Sequence, residues 1–247
     1  MPHSQNFILA QVPPIDIADL QRNMRLVDLP HGRVLAESRQ RISEVYFPHG
    51  GILSCVVELE NGWAIESGMI GYDGVFGAGQ ALDGKLSLHK VMVQVPGSAT
   101  VVDSNHLRAV AQSSPTFLAL LAKYEQFFLG QVQQTTACNA LHNIEQRMCK
   151  WLLRMHDLAG SELPLTQEFL AQMMGVRRTS VTSIAAHMQE DGLISYRPGK
   201  LSILNLELVR QRSCECHNSI RDQYASLFGN TPGDISEQQV KRPRDTL

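Results

Sequence analysis

The hydrophobic pattern of this chain changes period once, near Asp103. Before that point the apolar residues come in short β-rich runs: Val45 to Phe47, Ile52 to Leu59, Trp63 to Ser67 and Val91 to Val95. Turn residues separate them: Pro48-His-Gly-Gly51, Asn61-Gly62, Gly68, Gly71, Asp73-Gly74 and Pro96-Gly97. Asn-Gly between two apolar runs is a strong hairpin signal, because tight hairpin turns need positive φ at their centre. Short strands at this spacing predict an antiparallel sandwich, jelly roll or barrel. Upstream, Ile15, Ile17, Leu20 and Met24 predict a short helix over residues 14–25.

Beyond Asp103 the period is helical. Phe117, Leu120, Leu121, Tyr124, Phe128 and Val132 recur at helix spacing, with Pro115 tolerated just inside the start. One long helix is expected over residues 115–135. Its stripe has two destinations, the chain's own sheet or a second copy. A helix this long is poorly hidden by one small sheet, which favours a dimer seam of Leu120, Leu121, Tyr124, Phe128 and Val132. A further helix is expected at residues 143–159, with Gly160 as its C-cap.

The length, 247 residues, is comfortable for two domains, and 43% hydrophobic against 19% charged residues is enough for a sizeable core. The formal charge of −2 is an average over unlike parts: net −4 for residues 1–103, net +2 for 104–205, and six residues of each sign in 206–247. No run of ~18 apolar residues exists to span a membrane, and the start lacks a secretory pattern. Five scattered cysteines suit a reducing, cytoplasmic setting.

The most informative stretch is Leu165 to Leu193. Thr166 is a good N-cap, Glu168 suits the first turn, and Leu170, Met173 and Met174 form a buried face. Gly175 stops this helix, and a second begins near Arg177. Val181, Ile184, Ala185 and Met188 cluster on one side of it. Thr179, Thr182, Ser183, Ala186 and His187 are left on the other. Two short helices, a glycine turn and small outward polar residues are the layout of a helix-turn-helix. Short hydroxyl side chains allow close approach to base edges, and arginines at a helix start reach phosphate or guanine. Next, Leu193 to Tyr196 and Leu201 to Asn205 flank the basic turn Arg197-Pro-Gly-Lys200, the signature of a wing. The expected DNA-contacting residues are Arg177, Arg178, Thr179, Ser180, Thr182, Ser183, His187, Arg197 and Lys200.

This order of parts resembles the Crp/Fnr family of bacterial transcription regulators. The likeness covers roughly residues 10–220, most specifically Thr166 to Leu204 and the text from Val45 through Gly77. It implies an α+β protein: an N-terminal antiparallel β-roll (a jelly roll like a cyclic-nucleotide-binding domain), a dimerisation helix and a C-terminal winged helix-turn-helix. The expected boundaries are 1–112, 113–140 and 141–229, with a disordered tail at 230–247. The implied partners are double-stranded DNA with a palindromic operator, a second copy of the chain, RNA polymerase and a small-molecule effector in the roll. The alternative is a small-molecule-binding module with a vestigial helix-turn-helix.

The chain departs from its family in two places. Cyclic-AMP-type members read DNA with an Arg-Glu pair and an Arg one turn later. Aligned on Gly175, Arg178 takes the first position, but Thr179 and Ser183 replace the others, so a different operator is expected. That type also holds its nucleotide with Gly-Glu and Arg-Ser. Here Gly71, Asp73 and Gly74, with Ser87 and His89, are the nearest candidates for ligand contact, and no Arg-Ser exists. No cofactor is therefore expected, neither cyclic nucleotide nor iron–sulfur cluster, since only Cys55 precedes Cys138 and four thiolates are needed. Cys214-Glu-Cys-His217 has ligand-type residues without partners nearby in sequence, and reads as two plain cysteines and a surface histidine. His49, His89 and His106 read as turn or surface residues. Signatures of hydrolases, phosphate-binding loops and metalloproteases are absent, and Gly68 to Gly79 reads as turns with no following helix, so an enzyme is not expected.

Overall fold

A computed structural model of the protein describes residues 6–84 and 86–230. All of the expected tail at 230–247 but Asn230 lies outside these residues. After helix α1 (Pro14–Leu20) come strands β1 (Met24–Leu29), β2 (Val34–Ala36), β3 (Glu44–Glu58) and β4 (Ala64–Ile70). A short helix α2 (Ala78–Asp83) and the long strand β5 (Lys90–Asp103) complete the roll. The order is β1-β5-β3-β4 with β2 also on β5, and every pairing is antiparallel.

Two runs expected as separate strands, Val45 to Phe47 and Ile52 to Leu59, join into β3. Pro48-His-Gly-Gly51 is a bulged corner inside that strand and not a turn between strands, with the register against β5 shifting at Pro48/Gly50 and Gly50/Ile52. The corner depends on glycine. Gly51 sits at φ 79°, and a Cβ on it or on Gly97 would run into the backbone of the opposing strand. Asn61-Gly62 turns β3 into β4 as its chemistry predicts, with Gly62 at φ 83°. A helix, α2, does follow the glycine-rich segment, contrary to the sequence reading. It was missed because six residues are too few to show a period.

Helix α3 (Ser104–Ser113) starts on Asp103, whose carboxylate accepts from the amides of Asn105 and His106. Helix α4 (Pro115–Leu141) is capped by Ser114 and runs six residues further than expected. A capping box of Asn143 and Gln146 starts α5 (Ile144–Ala159). Then follow β6 (Glu162–Leu163), α6 (Gln167–Met174), α7 (Arg178–Glu190), β7 (Ile194–Arg197), β8 (Lys200–Ile203), α8 (Leu206–Arg212) and α9 (Cys216–Phe228). One continuous core joins roll and helices, because α4, α5 and α6 pack on the sheet and α9 crosses α4. No helix among the described residues is long and apolar enough to cross a membrane.

The stripe of α4 faces inward. Leu120, Leu121 and Tyr124 are buried within the single chain, Tyr124 lying over Gly74. Phe128 is half-buried against Gly68. Four of the five residues expected at a dimer seam thus serve the chain's own core, Val132 being half-buried. The roll covers Tyr124 and Phe128, and α9 packs on the adjoining flank: Tyr224 meets Phe127 edge-on at 4.8 Å, and Gly130 leaves room for Gln223. What α4 leaves outside is a different face, including Leu118, Ala122 and Leu129.

Candidate nucleic-acid interface

Helix α6 begins on Thr166, whose hydroxyl accepts from the Phe169 amide at 3.1 Å. Leu170, Ala171, Met173 and Met174 are buried, and Gly175 ends the helix in the left-handed region at φ 62°. A side chain there would be strained and would also meet Ile65 of β4, so the helix-turn-helix bend is seated on the roll. Helix α7 buries Val181, Ala185 and Met188 completely and Ile184 in part. Its opposite face holds Thr179, Thr182, Ser183, Ala186 and His187, all exposed. Ser180 is half-buried at the edge. The nine positions from Thr179 to His187 thus divide as helix geometry demands, with apolar groups inside and hydroxyls, Ala186 and His187 outside.

Arg177 is the N-cap of α7, and Arg178 its first residue, both exposed. Arg178 pairs with Glu168 at 3.3 Å, with both side chains largely in solvent. Such a pair is worth ~0–1 kcal/mol and yields readily to a phosphate. Thr182 donates to Gln167 Oε1 at 2.8 Å, which ties α7 to the start of α6. The wing forms as expected: Arg197 pairs with Lys200 across the β7–β8 turn, with Gly199 at φ 78° and both cations exposed. Lys200 reaches Glu162 of β6, holding that carboxyl below its usual range.

The residues expected to hold a ligand in the roll serve the helical layer. A Cβ on Gly71 would meet Leu158 of α5 at 2.6 Å, and one on Gly74 the Tyr124 hydroxyl. Asp73 is buried and paired with Arg154 at 2.7 Å, and its carbonyl accepts from the Tyr224 hydroxyl at 2.8 Å. Ser87 is fully buried and donates to the His89 carbonyl at 2.7 Å. Burial lowers the pKa of the half-buried His89 imidazole and favours its neutral form. An opening adjoins α2 and α4, a groove of about 470 Å³ lined by Gly79, Gln80, Asp83, Leu86, Leu88 and Glu125. Glu125 accepts from the Gly79 amide at 3.0 Å, so a carboxylate occupies the backbone donor that an anion would need.

Sequence reasoning missed the polar seam between roll and helices. Trp151 donates to Glu66 Oε1 at 2.8 Å, and Ser54 donates to the other oxygen at 2.5 Å. Burial pushes the Glu66 carboxyl up to about 7, although both hydrogen bonds oppose this. Tyr72 donates to the Asp157 carbonyl at 3.1 Å. Burial would raise the Asp157 carboxyl, but its bond to His217 at 2.8 Å and the charges of Arg154 and Arg221 outweigh that and hold it low. His217 is therefore a buried partner and not a surface histidine. The available signal was Trp151, Arg154 and Asp157 at three-residue steps along α5, a polar line on a face that otherwise reads as core.

An α6–α7 pair with a three-stranded wing defines the winged helix-turn-helix class of DNA-binding proteins. Residues 146–212 match the family model described as the Crp-like helix-turn-helix domain, and the chain carries that domain. No curated protein matches by sequence. Among solved structures, a CRP-family transcriptional regulator from Thermus thermophilus, TTHB099, is 17% identical with a TM-score of 0.65, covering 76% of this chain and 96% of its own. FixK2 from Bradyrhizobium japonicum is 12% identical with a TM-score of 0.67, covering 77% and 98%. CLP of Xanthomonas campestris, a c-di-GMP-responsive global regulator, is 14% identical with a TM-score of 0.64, covering 78% and 100%. These likenesses show that the chain has the Crp/Fnr fold, a cyclic-nucleotide-binding-like roll followed by a helix-turn-helix. Fold and domain together support a DNA-binding transcription regulator.

Proposed function

We propose that the protein is a homodimeric transcription regulator that reads a palindromic operator with the outer face of α7 in the major groove. The observation that carries this reading is that face: exposed hydroxyls and His187 over a fully buried Val181, Ala185 and Met188, flanked by Arg177 and Arg178. Arg177, Arg178, Arg197 and Lys200 supply phosphate contacts and the salt dependence that goes with them. Thr179, Ser180, Thr182, Ser183 and His187 read or approach base edges, each good contact being worth ~1–3 kcal/mol.

The dimer reading rests on what α4 leaves outside. Leu118, Ala122 and Leu129 are exposed and, with the half-buried Glu125 and Val132, follow the 4-3-4-3 spacing of a helix–helix seam, and Leu86 and Leu88 are exposed beside Glu125. Helix-turn-helix dimers bind half-sites about one DNA turn, ~34 Å, apart, and a two-fold axis along this seam has to give the two α7 helices that spacing. The groove between α2 and α4 adjoins the same face, which makes it the place for an effector to act. Its two carboxylates and two exposed leucines favour an apolar or cationic small molecule over a cyclic nucleotide. Contact with RNA polymerase follows from the regulatory role.

Selection of bound DNA from a random pool, at stated salt, tests the reading. The expected result is an enriched palindrome with half-site centres ~10 base pairs apart. Failure to enrich any sequence would favour the small-molecule-binding module with a vestigial helix-turn-helix.

A further inference from the structure

The end of α4 and the turn before α9 bring together four side chains that DNA reading does not use. Cys138 and His142 lie one turn apart at the C-terminal end of α4, and Cys214 and Cys216 flank Glu215 at the start of α9. Their ligand atoms all lie within 4.8 Å of one another. Cys138 Sγ is 3.6 Å from Cys214 Sγ, and Cys216 Sγ is 3.5 Å from His142 Nδ1. Bonds of ~2.3 Å to sulfur and ~2.0 Å to nitrogen at tetrahedral angles give edges of ~3.8 Å between sulfurs and ~3.5 Å from sulfur to nitrogen. Both observed edges fit.

The surroundings suit an ion as well. The three cysteines are buried and His142 is half-buried. His142 Nε2 lies 3.3 Å from a Glu215 carboxylate oxygen. A carboxylate on the far nitrogen fixes the tautomer that turns a lone pair on Nδ1 toward the thiols. Gln134 donates to Cys216 Sγ at 3.2 Å, a bond that a thiolate accepts better than a thiol. Three thiolates, a neutral imidazole and a divalent ion leave one negative charge. Arg147 and the buried Lys150 line the small cavity that reaches Cys138 and offset it. The four atoms stand too close to surround an iron–sulfur cluster, whose own irons and sulfides hold its thiolates apart.

We propose that Cys138, His142, Cys214 and Cys216 bind one tetrahedral zinc ion, which fastens the end of α4 to the turn between α8 and α9. The two helical ligands precede the bend from α4 into α5, and the other two follow the winged helix, so the ion spans the junction between roll and DNA-reading unit. Zinc displaces the thiol protons to solvent, and no electron moves. This site stands independently of the DNA-binding reading.

The test uses the full-length protein, stripped with a chelator under reducing conditions and titrated with Zn²⁺ and with Co²⁺ as a spectroscopic probe. The expected result is one ion per chain, a cobalt spectrum of a tetrahedral thiolate site, and zinc protection of Cys138, Cys214 and Cys216 from alkylation. Cys216→Ser should weaken zinc binding at least 100-fold and Glu215→Gln roughly 10-fold, while Cys55→Ala leaves it unchanged. Absence of stoichiometric binding, a cobalt spectrum without thiolate ligation, or undiminished affinity in Cys216→Ser overturns the site. Should Cys216→Ser fail to fold, the wild-type protein decides alone: alkylation rates at Cys138 and Cys214 that zinc does not change overturn the proposal.

Discussion

The outer face of α7 and the seam between α5 and the roll both carry polar side chains, and they use them in opposite ways. On α7 the hydroxyls of Thr179 and Ser183 and the ring of His187 stand in solvent on a helix whose other side is dry. In the seam, Glu66, Asp73, Arg154 and Asp157 are buried and each has a named partner across the roll–helix boundary or within the helical layer. A buried polar group without a partner is costly, so the seam's polarity is spent on fixing one arrangement. The polarity of α7 is left over for something outside the chain. The difference separates architecture from recognition without appeal to charge, which is near neutral overall.

The sharpest way to break this contrast is to strip a seam partner. Asp73→Asn leaves the buried Arg154 guanidinium facing a neutral group and should cost ~3–5 kcal/mol in denaturant unfolding. A loss below ~1 kcal/mol would mean that the seam is solvated. Glu66 gives a pH test of similar size. Its pKa is raised in the folded chain, from an ordinary 4.5 to about 7, so its contribution is fully present below pH 4.5 and is lost as pH rises through 7. At ~1.4 kcal/mol per pH unit the wild type should lose on the order of 3 kcal/mol relative to Glu66→Gln across that window. Parallel stability curves for the two proteins would refute the burial of an ionising carboxyl at this seam.

On the recognition side, Ser183→Glu sets a carboxylate against phosphates and base edges. It should lower operator affinity roughly 100-fold, as two lost contacts per dimer predict, while leaving the melting temperature unchanged. Arg197→Ala or Lys200→Ala should do least. Each is expected to weaken binding evenly across DNA sequences and to reduce the salt slope by about two, one per subunit. A change of sequence preference in either wing variant would move base reading from α7 to the wing.

The parts that were legible in the sequence are those made by neighbours. The α6–Gly175–α7 unit, the wing and the Asn61-Gly62 hairpin are each written within some thirty residues, where turn chemistry and period speak directly. The seam was not legible, because Trp151 and Glu66, or Arg154 and Asp73, are joined only when α5 lands on β4 and the turn after it. The same reason hid the companions of Cys214 and Cys216. Cys138 and His142 at i and i+4 on one helix, against a Cys-x-Cys pair, were the available sign, and it was passed over because the two pairs lie far apart in the chain. The stripe on α4 misled in a more instructive way. Its spacing was right, but α9 and the roll compete for the same face, and a helix pattern does not name its partner.

The outer face of α7 is the proposed DNA-reading surface. It is tested most directly by titrating a selected operator with the wild type and with Ser183→Glu, both shown folded by their melting curves. Tight, salt-sensitive binding is expected for the wild type and a roughly 100-fold loss for the variant. Equal affinity of the two proteins for that operator would contradict it.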